Sequence, residues 1–123
     1  MSELYIYNEI GGYGTTAEDV VDFLKENKDS DIEIYINSPG GNVFQGLAIY
    51  EAINRHKGQK KIYIDGLAAS IASIIALSGD EVTMGKGAFF MIHNPFSFAM
   101  GDEEEMKKEN AVKMWITVKD VKL

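Results

Sequence analysis

The chain alternates between two hydrophobic rhythms. Residues 3–10, "ELYIYNEI", place apolar side chains at every second position and are rich in β-branched and aromatic types, the pattern of a half-buried strand. Turn glycines follow in "GGYGTT". In "TTAEDVVDFLKEN" the period lengthens: Val20, Val21, Phe23 and Leu24 fall at helical spacing, acids crowd the first turn, and Thr16 or Thr15 can cap it. "DIEIYI" predicts a second strand that ends at "NSPGG", where Pro39 and two glycines force a loop. "NVFQGLAIYEAINRHKG" then puts Val43, Leu47, Ile49, Tyr50 and Ile53 on one helix face, with Gly58 as its stop. "KKIYID" predicts a third strand, "AASIASIIALS" a third helix and "EVTM" a fourth strand, which leads through "GKGA" into the extended run "FFMIH".

Strands and helices in alternation imply right-handed βαβ crossovers and an α/β fold whose mostly parallel sheet is covered by helices. Reactive groups are then expected at the carboxyl ends of the strands. The helix that contains Ser70 is apolar nearly all round, so it is expected to be central and buried. After "HNPFSFAMG", the stretch "DEEEMKKEN" reads as a helix start, with Asp102 and Glu105 spaced as a capping box. The closing "VKMWITVKDVKL" alternates instead like a strand, and its pattern alone does not assign it. No repeat, low-complexity linker or internal boundary is visible, so residues 1–123 are expected to form a single domain.

Composition narrows the chemistry. With 123 residues, 46% of them hydrophobic and 25% charged, the chain has the make-up of one globular domain rather than a disordered one. A net charge of -7 argues against nucleic acid or an anionic membrane as partner, since both select basic patches. There is no cysteine, which removes disulfides and thiolate metal sites, and the two histidines, His56 and His93, cannot build a multi-histidine zinc centre. "MSELYIYNEI" has neither the basic flank nor the apolar block of a signal peptide, and no run approaches the about 18 apolar residues of a membrane span. The expected location is the cytoplasm, with no metal and no cofactor.

Four stretches could carry chemistry. In "GYGTTA", Gly12, Gly14 and Ala17 match a relaxed dinucleotide fingerprint between a strand and a helix, but the second strand ends in Asn37 where a ribose-binding acid would be wanted, so an ordinary glycine turn is the simpler reading. "NSPGGN" lacks the lysine of a phosphate loop. Its paired glycines can nonetheless bring backbone N–H groups close to a ligand, as an oxyanion hole or an extended-peptide contact requires; a plain turn is the alternative. Ser70 in "GLAASIASIIALSG" arrives at the first turn of the buried helix, where free N–H groups and the dipole favour developing negative charge, which suits a nucleophile. The arrangement follows the logic of a nucleophile elbow with alanines in place of its glycines, while Ser73 and Ser78 are read as structural. "FFMIHNP" delivers His93 to a strand end, poised to meet a serine on a neighbouring strand, whereas His56 in "NRHKG" reads as a solvated residue near a helix end. Glycine donors, serine and histidine thus converge on one edge of one sheet, the minimum for acyl transfer through serine.

Together, "YINSPGGNVFQGLAIYEAI", "IDGLAASIASIIALSGDEVTM" and "FFMIHNP" resemble the proteolytic subunit of the Clp proteases, with the variants carried by phages and prophages nearest. The resemblance covers residues 4–109. It implies a crotonase-like fold of repeated β-β-α units, with Ser70 as nucleophile, His93 as general base, the backbone N–H groups of Gly41 and Ile71 as oxyanion hole, and Gly40 shaping that loop. It also implies a polypeptide substrate, a homo-oligomeric ring that is often seven-membered, and an ATPase unfoldase partner for folded substrates.

The chain departs from the family pattern at its end. The family's catalytic aspartate lies well beyond the histidine, past a long handle helix that mediates ring stacking, and nothing in residues 110–123 matches it. A truncated handle region is therefore expected, through truncation, rearrangement or frameshift. Asp102 and Asp120 are available carboxylates, each with a simpler role as a helix cap or a solvated tail residue. Three rival functions follow: a catalytically silent assembly homologue lacking the triad acid, a crotonase-type acyl-CoA enzyme that also uses two backbone amides, and the dinucleotide binder.

Overall fold

The computed structural model describes residues 1–93, 98–101 and 121–122, with side chains through Met91. Its elements run β1 (Ser2–Ile6), α1 (Ala17–Glu26), β2 (Ile32–Ser38), α2 (Val43–Arg55), β3 (Lys60–Ala69), α3 (Ile71–Ile75) with a short 3-10 turn (Ala76–Ser78), β4 (Glu81–Met84), β5 (Phe89–His93), β6 (Phe98–Gly101) and β7 (Val121–Lys122). This is the expected α/β architecture. Among the described residues one sheet forms in the order β1-β2-β3-β4-β7, with β5 against the far end of β3 and β6 beyond β5. All pairs are parallel except β5 with β6.

Alternation explains which face is which. Ile32, Ile34 and Ile36 of β2 and Ile62 and Ile64 of β3 point to the helices and are buried, joined by Val20 and Leu24 of α1, Ile49 and Ile53 of α2, and Ile75 of α3. The opposite face carries Tyr5, Tyr35 and Tyr63, in register across three strands and stacked with ring centroids 4.7 and 4.9 Å apart. Ring-on-ring packing withdraws the Tyr35 phenol from water; its hydrogen bond to Glu3 and the charge of Glu33 add to this, holding its pKa well above the usual tyrosine range.

Local signals account for the helix starts. Thr16 caps α1, and Asp19 returns the bond, completing a capping box. Asn42 caps α2 by accepting from the Gln45 N–H at 2.9 Å. The buried stripe of α2 differs from the expected one: Gly46, Ile49, Ala52 and Ile53 face inward, while Val43 and Leu47 are largely exposed. Gly46 sets this orientation, because a Cβ there would lie 2.1 Å from Ile71 Cγ1, so only a glycine lets α2 approach α3 so closely. The helix also stops earlier than Gly58. His56 takes an extended conformation as its C-cap and its Nε2 contacts the Ser30 carbonyl at 2.7 Å, while the buried Lys60 ammonium donates to the His56 carbonyl at 2.9 Å.

The largest departure from the sequence reading lies in β3. The strand was expected to end at Asp65, with a helix from Ala68; instead it continues to Ala69. Between Ile64 and Ala68 it bulges: β2 advances two residues, from Ile36 to Ser38, while β3 advances four. The bulge carries β3 off β4, whose pairing ends at Met84↔Ile64, and onto β5, whose pairing starts at Leu67↔Phe89. Alanine favours helix, but ladder bonds on both sides override that preference here.

Candidate active site

Ser70 sits at the junction of β3 and α3, in front of the helix rather than within its first turn. Its backbone has φ 57° and ψ -130°, a region that residues with a Cβ seldom occupy. Three bonds hold it there. The Ser70 N–H donates to the Met91 carbonyl of β5 at 3.0 Å, and the Ser70 carbonyl accepts from both the Ser73 N–H at 3.0 Å and the Ser73 hydroxyl at 2.5 Å. Because the peptide is trans, a carbonyl drawn into the helix turns the Ile71 N–H the other way, out from the helix start. Ser73 therefore orients a candidate oxyanion donor, beyond the purely structural role its spacing suggests. The Ser70 side chain is exposed, and its hydroxyl bonds to nothing among the described residues. Ser78 bonds back to the Ile75 carbonyl at 2.6 Å, as a structural serine does.

The glycine loop after β2 lies against this junction. Gly40 has φ +100°, and a Cβ on it would stand 2.8 Å from Ser70 Cβ, 2.8 Å from the Ala69 carbonyl oxygen and 3.4 Å from the Ile71 nitrogen. Only a glycine admits that conformation and that approach. The Gly40 N–H is taken up by the buried Ser38 hydroxyl at 3.1 Å. Gly41, at φ +152°, backs onto Ile10, whose carbonyl oxygen would be 2.3 Å from an added Cβ. Its own N–H has no acceptor among the described residues. Gly40, Gly41, Ser70 and Ile71 are thus brought together at the carboxyl ends of β2 and β3.

His93 ends β5, two residues beyond Met91, on the strand paired with the end of β3. Its backbone is therefore delivered beside Ser70, while its side chain lies outside the described residues. Asp102 and Asp120 lie outside them as well, as does the capping box expected at Asp102 and Glu105.

Ile10, Ser38, Ser73 and Met91 are the site-shaping residues that pattern reading missed. Ile10 and Met91 act through backbone atoms, which no side-chain signature reveals; Ser73 acts through its N–H and its hydroxyl, and Ser38 carried a faint signal as the residue before a Pro-Gly-Gly turn. In the "GYGTTA" stretch the N–H groups of Gly14, Thr15, Thr16 and Ala17 all donate to partners inside the protein and are not open to a phosphate, while those of Gly12 and Tyr13 have no acceptor among the described residues. Among the described residues no three His, Asp or Glu side chains group as metal ligands, and no helix is long and apolar enough to cross a membrane. A cavity of about 330 Å³ between the C-terminal ends of α1 and α2, lined by Leu24, Lys25, Arg55 and Lys57 among others, lies at the opposite end of the strands from Ser70 and takes no part in this arrangement.

Comparison with known proteins agrees with the geometry. A Clp protease proteolytic subunit from Ligilactobacillus salivarius is 39% identical over 87 residues, covering 67% of this chain and 43% of that protein. A solved structure of a ClpP1 mutant from Listeria monocytogenes superposes with a TM-score of 0.67 at 28% identity, covering 91% of this chain and 64% of the other. The chain spans less than half the length of the curated relative. The sequence profile of the Clp protease family matches residues 3–121, reaching past the motif-bearing stretch that ends at Glu109. By that match, which takes in nearly the whole sequence, the chain belongs to the Clp protease family.

Proposed function

We propose that the chain is a serine-type endopeptidase domain acting on unfolded polypeptide or, for a phage-type member, on a structural precursor. The observation that carries this reading is the Ser70 junction: an exposed serine at φ 57°, with Gly40 pressed against its Cβ and the Ile71 nitrogen. In this reading Ser70 Oγ attacks the scissile carbonyl while His93 accepts its proton. The oxygen that becomes negative is held by the Gly41 and Ile71 N–H groups. His93 then returns the proton to the leaving amine, and water, activated by the same imidazole, releases the acyl group and regenerates Ser70. The substrate lies extended along the Gly40–Gly41 loop and adds to it as a strand.

Family membership supports a homo-oligomeric ring and an ATPase unfoldase as partners, and a cytoplasmic location. Val43, Phe44 and Leu47 project from α2 with 52%, 81% and 43% of their surface exposed, an apolar strip suited to burial between subunits. No cofactor enters the chemistry. A fluorophosphonate probe tests the assignment: it labels the wild-type chain, and Ser70→Ala abolishes labelling. Label that persists in Ser70→Ala would place the reactive group elsewhere, and assembly without labelling in the wild type would favour the silent homologue.

A further inference from the structure

The turn after β1, which no catalytic step uses, is tied to the loop that carries the Gly41 amide. Ile10, almost fully buried, donates its N–H to the Gly40 carbonyl at 2.8 Å and accepts from the Asn42 N–H at 2.9 Å. These bonds bracket Gly41 in a parallel bridge. In such a bridge the bracketed residue directs its own N–H and C=O to the opposite side. Ile10 therefore dictates which way the Gly41 amide points.

Ile10 is fixed in turn by a loop closed on itself. The Gly11 N–H reaches the Thr15 carbonyl at 2.7 Å, the Thr15 N–H reaches the Glu9 carbonyl at 2.9 Å, and the Thr15 hydroxyl bonds Asn8 Oδ1 at 2.7 Å. Gly14 is packed so tightly that an added Cβ would fall 1.9 Å from the Glu9 carbonyl oxygen. Gln45, in the first turn of α2, joins both parts. Its Oε1 accepts the Ala17 N–H at 2.8 Å, its N–H donates to Asn42 Oδ1 at 2.9 Å, and its Cγ sits 3.3 Å from where a Cβ on Gly11 would be.

We infer that the Ile10–Thr15 turn and Gln45 form a positioning device that sets the direction of the Gly41 N–H, with Gln45 as its keystone positioning residue. The inference rests on the peptidase reading for its kinetic meaning, but its structural content stands apart. Removing the Gln45 acceptor releases the start of α1 from the glycine loop, letting the Ile10 bridge open and the donor wander. An oxyanion donor acts in the transition state, so the loss falls on kcat rather than KM.

The experiment compares Gln45→Leu, which loses the acceptor, with Gln45→Glu, which keeps it, and Gly14→Ala, which displaces the turn, with Gly87→Ala, whose added methyl meets nothing within 4 Å. On a short fluorogenic peptide, Gln45→Leu and Gly14→Ala are expected to lower kcat about tenfold with KM held within about twofold, while Gln45→Glu and Gly87→Ala stay within about twofold of wild type. In parallel, amide hydrogen exchange at Ile10 and Asn42 is expected to quicken about tenfold or more in Gln45→Leu, with Ile34 and Ile62 unchanged. Unchanged exchange at Ile10 and Asn42, or equal loss of kcat in the leucine and glutamate variants, overturns the inference. If wild-type protein cleaves nothing, the peptidase reading falls and the exchange data alone decide the positioning claim.

Discussion

Two glycine turns follow the first two strands, and they differ in where their open donors lie. In the turn after β1, the N–H groups of Gly11, Gly14, Thr15 and Thr16 are consumed by acceptors within the protein, and those of Gly12 and Tyr13, without a described acceptor, lie at the tip of the turn. In the turn after β2, Ile10 and Ser38 satisfy the flanking groups and leave the Gly41 N–H with no described acceptor, beside an exposed serine. Both turns need glycine for conformation, so residue type alone cannot tell them apart. What distinguishes the second turn is that its open donor lies beside an exposed serine.

That contrast is broken most severely at Gly40. Gly40→Ala forces a methyl to 2.8 Å from Ser70 Cβ at a φ of +100°, and is expected to lower peptide hydrolysis by about 100-fold or more while circular dichroism shows the fold retained. The turn after β1 should answer in stability as well as in kcat. Gly11→Ala, at φ +84° and 3.1 Å from Asn42 Cβ, is expected to cost about 1–2 kcal/mol, read as a fall of several degrees in Tm. Thr16→Ala removes the α1 capping box and should cost about 1 kcal/mol in a denaturant titration.

The smallest effect lies outside both turns. Because the folded state holds the Tyr35 phenolic proton to higher pH than the unfolded chain does, this contribution is complete below about pH 10 and is lost as pH rises through the raised folded value. Tyr35→Phe should therefore lose less stability than wild type between about pH 8 and about pH 11, as measured by denaturant unfolding.

Much of the fold is written in local pattern. Thr16 with Asp19, the alternating isoleucines of β2, and Asn42 before α2 are short-range signals whose physics acts within one turn or one strand, and each element they specify is present. The end of β3 was illegible because Ala68 and Ala69 favour helix on their own and become strand only when paired with Ser38 on one side and with Phe90 and Met91 on the other. The same holds for the site. Ser70 and His93 stood out as reactive types at strand ends, but the positive φ of Ser70 arises from the Met91 and Ser73 bonds, which unite segments distant in sequence or fold back from the next turn. Ile10 acts through its peptide groups and leaves no trace in side-chain pattern.

The bulge between Ile64 and Ala68 makes chain length itself a constraint. Surface loops ordinarily tolerate insertions and deletions. Removing one residue from the β3 bulge would do something different: it would shift Ala68, Ala69 and Ser70 by one position against Ser38 on one side and Phe90 and Met91 on the other, exchanging the faces their side chains occupy and breaking the match with β5. In this segment the number of residues matters as much as their identity.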